Sequence, residues 1–385
     1  MKKTVLLSFL LAIILIPFGS VWANDTINIG FAVATTGHAA RVGLKALDGA
    51  KIAVNEINSA GGVLDKKLQL IVEDHKCEPT EGVNASSKLI FKDKVDVLIA
   101  DTCSSTVFAI SEIVKSKNIS MPVLSGIVTS PKLTKQGNKW YFRAGQNALM
   151  EGPAFVGFWI KKLGVKKVSF LAVNDDWGRS TAETYAKILK EMGGEVISID
   201  FFDPGSQDFY PYLTKLKSKK PDAIDIVARP ENGSRINIQM GELGMLNKFV
   251  LLGSDGQITD DFIKLAGDAA EGMYLMERYE SIIDTPKNKA FVAAYRKLTQ
   301  ESPDQYAQAG YDNVYIIAEA IKRAGSVDPE KVRSAMEKTD YEGLASRIQF
   351  DKNNQAHPAL LIVRIENGVR KVSSKTETEG IDHAK

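Results

Sequence analysis

The hydrophobic positions of the chain follow two alternating periods. Short apolar runs at 27–33, 68–72 and 95–101 are each followed by a segment in which apolar residues recur every three or four positions. Such runs are typical of strands, and such segments are typical of amphipathic helices. The first third of the chain therefore predicts a βαβαβα series, the pattern of a parallel sheet with helices on both faces.

A second series of the same kind starts near residue 149. Its predicted strands cover 168–173, 196–201, 223–227, 249–252 and 273–275. Its predicted helices cover 149–163, 179–192, 208–218, 232–244 and 258–267. Three further helices are predicted at 287–299, 306–324 and 329–338, before a strand at 359–365. Because the first series is short of helices, we expect the chain to cross back and cover it.

The predicted fold class is α/β, with two doubly wound parallel-sheet lobes joined by a hinge of several strands. The length of 385 residues also favours two domains, because one hydrophobic core usually supports no more than ~250–300 residues. The expected boundaries are 24–145 plus 277–360 for the first lobe, and 146–276 plus 361–385 for the second.

The segment 1–23 has the pattern of a signal peptide. A basic start and an apolar core at 5–18 precede Val21-Trp22-Ala23, which fits a small-residue cleavage site. This apolar segment is shorter than the ~20 residues that a transmembrane helix needs. We therefore expect an exported protein that is cleaved after Ala23.

Positive and negative charges are balanced. The chain has 49 Lys and Arg against 47 Asp and Glu, a net charge of +2 that the two lysines of the leader account for. This balance predicts no nucleic-acid or membrane-surface partner. Gly-x-Ser-x-Gly, His-Glu-x-x-His and phosphate-loop motifs are missing from the sequence, so we expect neither an enzyme nor a cofactor.

Cys77 and Cys103 are the two cysteines of the chain. In an exported protein, an even pair predicts a disulfide. The alternative is a metal or redox site, which lacks the close cysteine spacing and a convincing third ligand, although His75 is near Cys77 in the sequence. We expect a disulfide and no metal.

Two loops that follow predicted strands carry the candidate chemistry. Thr102-Cys103-Ser104-Ser105-Thr106 leads from the strand at 95–101 into a helix. The free N–H groups at the start of that helix, together with the hydroxyls, favour an anion such as a carboxylate. The other interpretation is that these residues only cap the helix, which is their commonest role. A second loop, 125–131, follows a strand at 121–124, and strand ends of this kind are where ligands bind in doubly wound sheets.

Several short motifs occur in the order and spacing of a known family. They are Asn58-Ser59-Ala60-Gly61-Gly62, Cys103-Ser104-Ser105, Ser130-Pro131-Lys132-Leu133-Thr134, Asn174-Asp175-Asp176-Trp177-Gly178 and Tyr311-Asp312. The chain resembles the branched-chain amino-acid-binding proteins over nearly all of its length after residue 23. These are the periplasmic substrate-binding subunits of ABC importers and have a type I periplasmic fold. The resemblance implies a periplasmic monomer that holds its ligand in a cleft between the lobes, closes by hinge bending and delivers the ligand to an inner-membrane permease.

The resemblance also implies which residues bind the ligand. The hydroxyl and backbone N–H groups of Ser104 and Thr129 would take an α-carboxylate. The carbonyl of Ile127 and the carboxylate of Asp255 would take the ammonium, and Trp177 of the second lobe would close over the ligand. The full expected set is Thr102, Ser104, Ile127, Val128, Thr129, Trp177, Arg229 and Asp255.

Three positions depart from the family pattern. Asp255 replaces a glutamate, and His38 replaces a proline, which we take as neutral. Arg229 stands near a position often held by tyrosine, where it could pair with Asp255, clamp a second carboxylate of the ligand, or lie in solvent at the rim. Ile127 and Val128 argue weakly for an aliphatic ligand, whereas the departures favour a polar or acidic one.

The sequence therefore predicts a binding subunit that captures an amino acid, either branched-chain-like or polar and acidic. The alternative is a binding protein that senses a small organic acid or amide and serves a receptor. Transport is favoured because the chain carries no signalling domain.

Overall fold

The computed structural model describes residues 26–376, so the predicted signal peptide and its cleavage site lie outside the described residues. The first lobe is built on β1 (Thr26–Val33), β2 (Lys67–Asp74), β3 (Val97–Ala100), β4 (Val123–Ser125) and β5 (Tyr141–Arg143). These strands form one sheet in the order β2-β1-β3-β4-β5, and every neighbouring pair is parallel. The sequence-based expectation of a parallel first sheet is confirmed.

Helices cover both faces of this first sheet. They are α1 (Ala40–Ser59), α2 (Pro79–Ser87, continued by a π turn at Lys88–Lys92), α3 (Ser104–Ser116) and the short α4 (Lys132–Lys135). Because strand side chains alternate between faces, Ile29 and Phe31 of β1 pack in the core on the α1 side. Ala32 points to the other face and packs with Val107 and Ile110 of α3.

The second lobe repeats the α/β layout. After α5 (Ala148–Leu163) come β6 (Lys167–Val173), α6 (Asp176–Glu191), β7 (Glu195–Phe202), α7 (Tyr210–Lys219), β8 (Ala223–Val227), α8 (Pro230–Glu242), β9 (Val250–Gly253), α9 (Asp260–Ala266) and β10 (Tyr274–Glu277). Strands β6 to β10 pair in parallel in the order β10-β9-β8-β6-β7. The chain then returns to the first lobe as α10 (Pro286–Thr299), α11 (Gln305–Ala324), α12 (Pro329–Met336) and a hairpin of β11 (Asp340–Glu342) and β12 (Arg347–Gln349).

The last two strands, β13 (Leu360–Glu366) and β14 (Val369–Thr376), extend the second sheet beyond β10. Both pair antiparallel, which makes this sheet mixed. The sequence predicted β13 but neither β14 nor the β11–β12 hairpin. Most of β14 and half of the hairpin are exposed, so they lack the continuous apolar run that marks a buried strand.

Three segments connect the lobes: β5 to α5, β10 to α10, and β12 to β13. The side chain of Gln355 in the third segment holds the first segment, since its Nε2 donates to the carbonyl of Gly145 at 2.7 Å and its Oε1 accepts from Arg143 Nε at 2.6 Å. Arg278 of the second segment donates to Gln146 of the first. The hinge therefore consists of three segments, of which the first is hydrogen-bonded to each of the other two.

The returning helix α11 packs on α1 at very short range because glycines lie at the contact. A Cβ at Gly310 would lie 1.8 Å from the carbonyl oxygen of Ala46, and a Cβ at Gly49 would lie 1.9 Å from that of Ala307. No side chain fits at either position unless the helices separate.

We predict that Gly310→Ala lowers the free energy of unfolding by about 1–3 kcal/mol, because the added methyl overpacks the α1–α11 contact. Gly157→Ala in α5 is the matched control, since its Cβ would meet only the end of Met192 at 3.4 Å. That variant should match or exceed the wild type, because alanine favours a helix over glycine. Thermal unfolding of both variants checks this, and equal melting temperatures would contradict it.

The second sheet buries one carboxyl group without a partner. Asp225 of β8 is fully buried and lies in register with Phe170 of β6 and Leu252 of β9. Neither of its carboxyl oxygens has a hydrogen-bond partner among the described residues. Burial raises the pKa of Asp225 from 3.8 to about 7, because the charged form loses its hydration.

This raised pKa makes stability depend on pH. Below pH 4 the carboxyl is neutral in both folded and unfolded chains, and between pH 4 and 7 only the unfolded chain releases its proton. The free energy of unfolding should therefore fall over this range by up to about 1.4 kcal/mol per pH unit. In Asp225→Asn we expect this contribution to the slope to disappear, so the variant gains stability relative to the wild type as the pH rises to 8. Denaturant titrations from pH 4 to 8 measure it, with exposed Asp65→Asn as the charge control; parallel curves for wild type and Asp225→Asn would refute the assignment.

Candidate functional site

A cavity lies between the lobes, where strand ends from both sheets face each other. The volume inside it that water-sized molecules can occupy is about 30 Å³, so the two walls lie close together. Seven of the eight residues expected from the sequence line it together: Thr102, Ser104, Ile127, Val128, Thr129, Trp177 and Arg229. Four lining residues were not expected from the sequence: Ala39, Val42, Gly256 and Tyr306.

The first wall follows β3. Thr102 has a φ of +89°, a left-handed conformation that is strained for a β-branched residue. Next to it, the predicted disulfide between Cys77 and Cys103 is present and ties this loop to the loop after β2. The first helical residue, Ser104, does not cap its own helix, and the N-cap residue Cys103 has no side-chain cap. Instead, the hydroxyl of Ser104 accepts from the N–H of Ser130 at 3.4 Å.

The carboxylate of Asp101 organises the second loop of this wall. It accepts from the N–H groups of Gly126 and Ile127, both at 2.8 Å, and from Asn313 of α11 at 3.0 Å. Burial raises the pKa of Asp101 to about 6, against the opposing effect of these hydrogen bonds. The bonds orient the peptide of Ile127, whose carbonyl was expected to face the ligand.

Arg143 of β5 braces the same loop from behind. Its fully buried guanidinium donates to the carbonyl of Ser130 at 2.7 Å and to that of Val128 at 3.4 Å. Its remaining donors go to Thr134 and Gln355. Because Gln355 belongs to the hinge, Arg143 links the hinge to the loop that carries Thr129.

The opposite wall comes from the starts of two helices of the second lobe. Trp177 lies in the first turn of α6, and Arg229 is the N-cap of α8. The Arg229 guanidinium pairs with Asp175 at 2.9 Å, lies 5.0 Å from the centre of the Trp177 ring, and has its Nη2 3.9 Å from the Cys77 sulfur of the first lobe. Arg229 is only 6% exposed, so it does not lie in solvent at the rim. Its carboxylate partner is Asp175.

The side chain of Asp255 lies outside what the structure describes, so its expected contact with an ammonium stays a prediction. Its backbone begins a short turn at Asp255–Gln257. The next residue, Gly256, lines the cavity, where a Cβ would come within 2.2 Å of the Ala228 carbonyl and 2.8 Å of the Trp177 ring. The backbone of this turn therefore packs directly against the tryptophan.

Several polar atoms at the cavity are buried without a partner. Among the described residues they are the hydroxyls of Thr102 and Thr129 and the Nη1 of Arg229. Leaving such groups unpaired costs about 1–3 kcal/mol each, and more for charged groups. A polar molecule between the walls would supply the missing partners.

Ion pairs connect the lobes on both sides of the cavity. On one side, Asp261 of α9 binds Arg41 at 2.7 Å and Lys45 at 3.1 Å, both on α1. Burial would raise the pKa of Asp261, but the charges of Lys45 and Arg41 hold it below the ordinary value. On the other side, Lys132 binds Asp176 at 2.6 Å. The two lobes are therefore in contact across the cleft, in a closed arrangement.

Sequence reasoning missed the residues that support the walls and part of the lining. Asp101 ends an apolar strand, and a carboxylate at a strand end is the one signal that could have singled it out. Arg143 and Tyr306 carry no local signal, because each reaches the site through tertiary contacts. Val42 and Ala39 are apolar residues at the start of α1 and are indistinguishable in sequence from core positions.

No helix among residues 26–376 is both long enough and apolar enough to cross a membrane. Within the same residues, no group of three or more His, Cys, Asp or Glu side chains is arranged to hold a metal ion.

Comparison with known proteins agrees with this architecture. A leucine-, isoleucine-, valine-, threonine- and alanine-binding protein of Pseudomonas aeruginosa is 30% identical over 86% of this chain and 87% of its own. The crystal structure of a leucine-binding protein from Thermotoga maritima matches with a TM-score of 0.84 and 28% identity, over 91% of this chain and 98% of its own. A branched-chain amino acid transporter substrate-binding protein from Streptococcus pneumoniae, solved with isoleucine, matches with a TM-score of 0.83 and 27% identity over the same shares.

These relatives are substrate-binding proteins of transporters and not enzymes. The type I periplasmic fold expected from the sequence is confirmed by the two structures. The periplasmic binding protein family matches residues 26–370, which is most of the chain. The protein is therefore a member of the periplasmic binding protein family, of the type that serves ABC transporters.

Proposed function

We propose that this protein captures an α-amino acid in the cleft between its lobes and delivers it to an ABC permease of the inner membrane. The observation that carries the proposal is the convergence of Ser104 and Thr129 from one lobe with Trp177 and Arg229 from the other on a single cavity. The relatives named above, which are named for leucine, isoleucine, valine, threonine and alanine, support an amino acid as the ligand class. The proposal includes a monomeric protein, export with cleavage after Ala23, and the lobe boundaries expected from the sequence.

The chemistry of the first wall suits a carboxylate. The start of α3 provides backbone N–H groups and the positive end of the helix dipole. The hydroxyls of Ser104 and Thr129 add two donors. Charge-assisted hydrogen bonds of this kind are worth about 1.5–3 kcal/mol each, which offsets the loss of ligand hydration.

Release to a permease requires that the cleft open. The three hydrogen-bonded hinge segments allow rotation of one lobe against the other, and the buried ion pairs of Asp261 across the cleft favour the closed arrangement. A ligand that contacts both walls stabilises the closed state further, because it binds that state better than the open one.

We predict that Thr129→Val weakens amino acid binding about tenfold or more while leaving folding stability unchanged or higher. The valine keeps the shape of the side chain and removes a buried hydroxyl that has no protein partner, so the free protein loses nothing. Isothermal titration calorimetry with a panel of amino acids, together with thermal unfolding, measures both effects.

The matched control is Thr181→Val in α6, whose hydroxyl is also buried without a partner but lies outside the cavity lining. It should show the same effect on stability and no effect on affinity. If Thr129→Val binds as tightly as the wild type, the carboxylate role of this wall is wrong. If no amino acid binds the wild type, the proposed ligand class is wrong.

We predict that Asp261→Asn raises the dissociation constant on the order of tenfold, because it removes the buried charge that joins Arg41 and Lys45 in the closed state. Folding stability should change little, since Lys45 keeps its ion pair with Asp304, at 3.2 Å. Asp176→Asn is the control on the opposite rim, where the partner Lys132 is 65% exposed and the pair contributes little.

Calorimetry gives the affinities, and small-angle X-ray scattering of the unliganded variants gives the balance of open and closed forms. An unchanged dissociation constant for Asp261→Asn would show that these ion pairs do not set the closure equilibrium.

A further inference from the structure

The guanidinium of Arg229 has a buried hydrogen-bond donor that no described residue accepts. It lines the cavity, and its side chain is 7% exposed. One nitrogen, Nη2, pairs with Asp175 at 2.9 Å and touches the Cys77 sulfur at 3.9 Å. The other terminal nitrogen, Nη1, is buried and has no partner among the described residues.

Among the side chains that the structure describes, which do not include Asp255, none offers this nitrogen an acceptor. Trp177 stacks near one side of the guanidinium at 5.0 Å. His38 also lies near it, and burial together with the Arg229 charge lowers the pKa of that histidine. Asp175 is the carboxylate that pairs with the guanidinium among the described side chains. A buried charged donor that lacks an acceptor costs free energy in the closed arrangement, unless a bound molecule supplies the acceptor.

We infer that the ligand of this cleft is an α-amino acid whose side chain ends in a carboxylate or carboxamide, and that its side-chain oxygen accepts from Nη1 of Arg229. This inference rests on the proposed function, since it requires the α-carboxylate to lie against Ser104 and Thr129. The two walls then hold the two ends of the ligand, with the ring of Trp177 beside its carbon chain.

An aliphatic side chain would fill this position poorly. It would bury the free Nη1 against carbon and leave the donor unpaired, which is how sites built for a polar group reject apolar analogues. Arg229 thus determines which ligand side chain is preferred, whereas the first wall recognises the α-carboxylate that all amino acids share. The predicted ligands therefore differ from the leucine, isoleucine, valine, threonine and alanine for which the relatives are named.

The experiment compares ligands on the purified chain by calorimetry. Aspartate, glutamate, asparagine and glutamine form the polar set, and leucine, isoleucine and valine form the aliphatic set. For the wild type we expect at least one polar ligand to bind tenfold or more tightly than every aliphatic one. The acids and the amides are tested separately. The class that binds more tightly identifies the side-chain group that accepts a hydrogen bond from Arg229.

Two variants separate ligand contact from a purely structural role. Arg229→Met keeps an unbranched side chain of similar length and removes the donors, so affinity for the polar set should fall at least tenfold while affinity for the aliphatic set holds or rises. Asp175→Asn breaks the ion pair but retains Nη1, and its amide oxygen can still accept from the N–H of Gly178 as the Asp175 carboxylate does at 2.8 Å. It should keep the order of ligands.

The outcomes are distinct. If the wild type prefers aliphatic ligands, or if Arg229→Met weakens all ligands equally, the inference is overturned while the proposed function stands. If both variants lose the polar preference together, Arg229 acts only through its pair with Asp175, and the inference also fails. If the wild type binds another amino acid but none in either set, the inference is overturned and the proposed function stands. If it binds no amino acid at all, the proposed function itself is overturned.

Discussion

The hydrogen bonds of the Asp101 carboxylate are the constraint on which the cleft depends. This one buried group accepts from the loop after β4 and from α11, which reaches the first lobe only after the chain has built the second. It therefore joins the end of β3, the loop expected to hold the ligand and the returning helix at a single point. The neighbouring Thr102, with its strained backbone, and the disulfide at Cys103 are held in place by the same junction.

The two walls of the cleft differ in how they are fixed. The first is rigid, because Asp101 and Arg143 hold its loops from behind with buried hydrogen bonds. The second presents Trp177 and Arg229 from helix starts, and it meets the first wall through ion pairs that water can replace when the lobes separate. A preformed half-site facing a movable half-site is what hinge closure around a small molecule requires.

The sequence was sufficient for the framework and for most of the cavity lining. Buried parallel strands such as β1 and β3 form continuous apolar runs, and strand ends locate the loops at Ser104 and Thr129 without any tertiary information. It was insufficient where the structure depends on contacts between distant residues. Asp175 contacts Arg229 only once the second lobe has folded, and Gln355 contacts the first hinge segment only once the chain has returned from the second lobe. Strand β14 is mostly solvent-exposed and half of the β11–β12 hairpin is exposed, so neither has a continuous apolar run to detect.

The chain passes between the lobes three times, and these crossings also determine the order in which its parts can fold. The first sheet is synthesised early, yet the face of α1 that receives Gly310 stays uncovered until α11 has been made. The strands β6 to β10 and their helices, in contrast, come from one continuous stretch. Long-range contacts of this kind are slow to form and leave apolar surface exposed meanwhile. The same connectivity that makes a hinge thus keeps the amino-terminal half incomplete until most of the polypeptide has been synthesised.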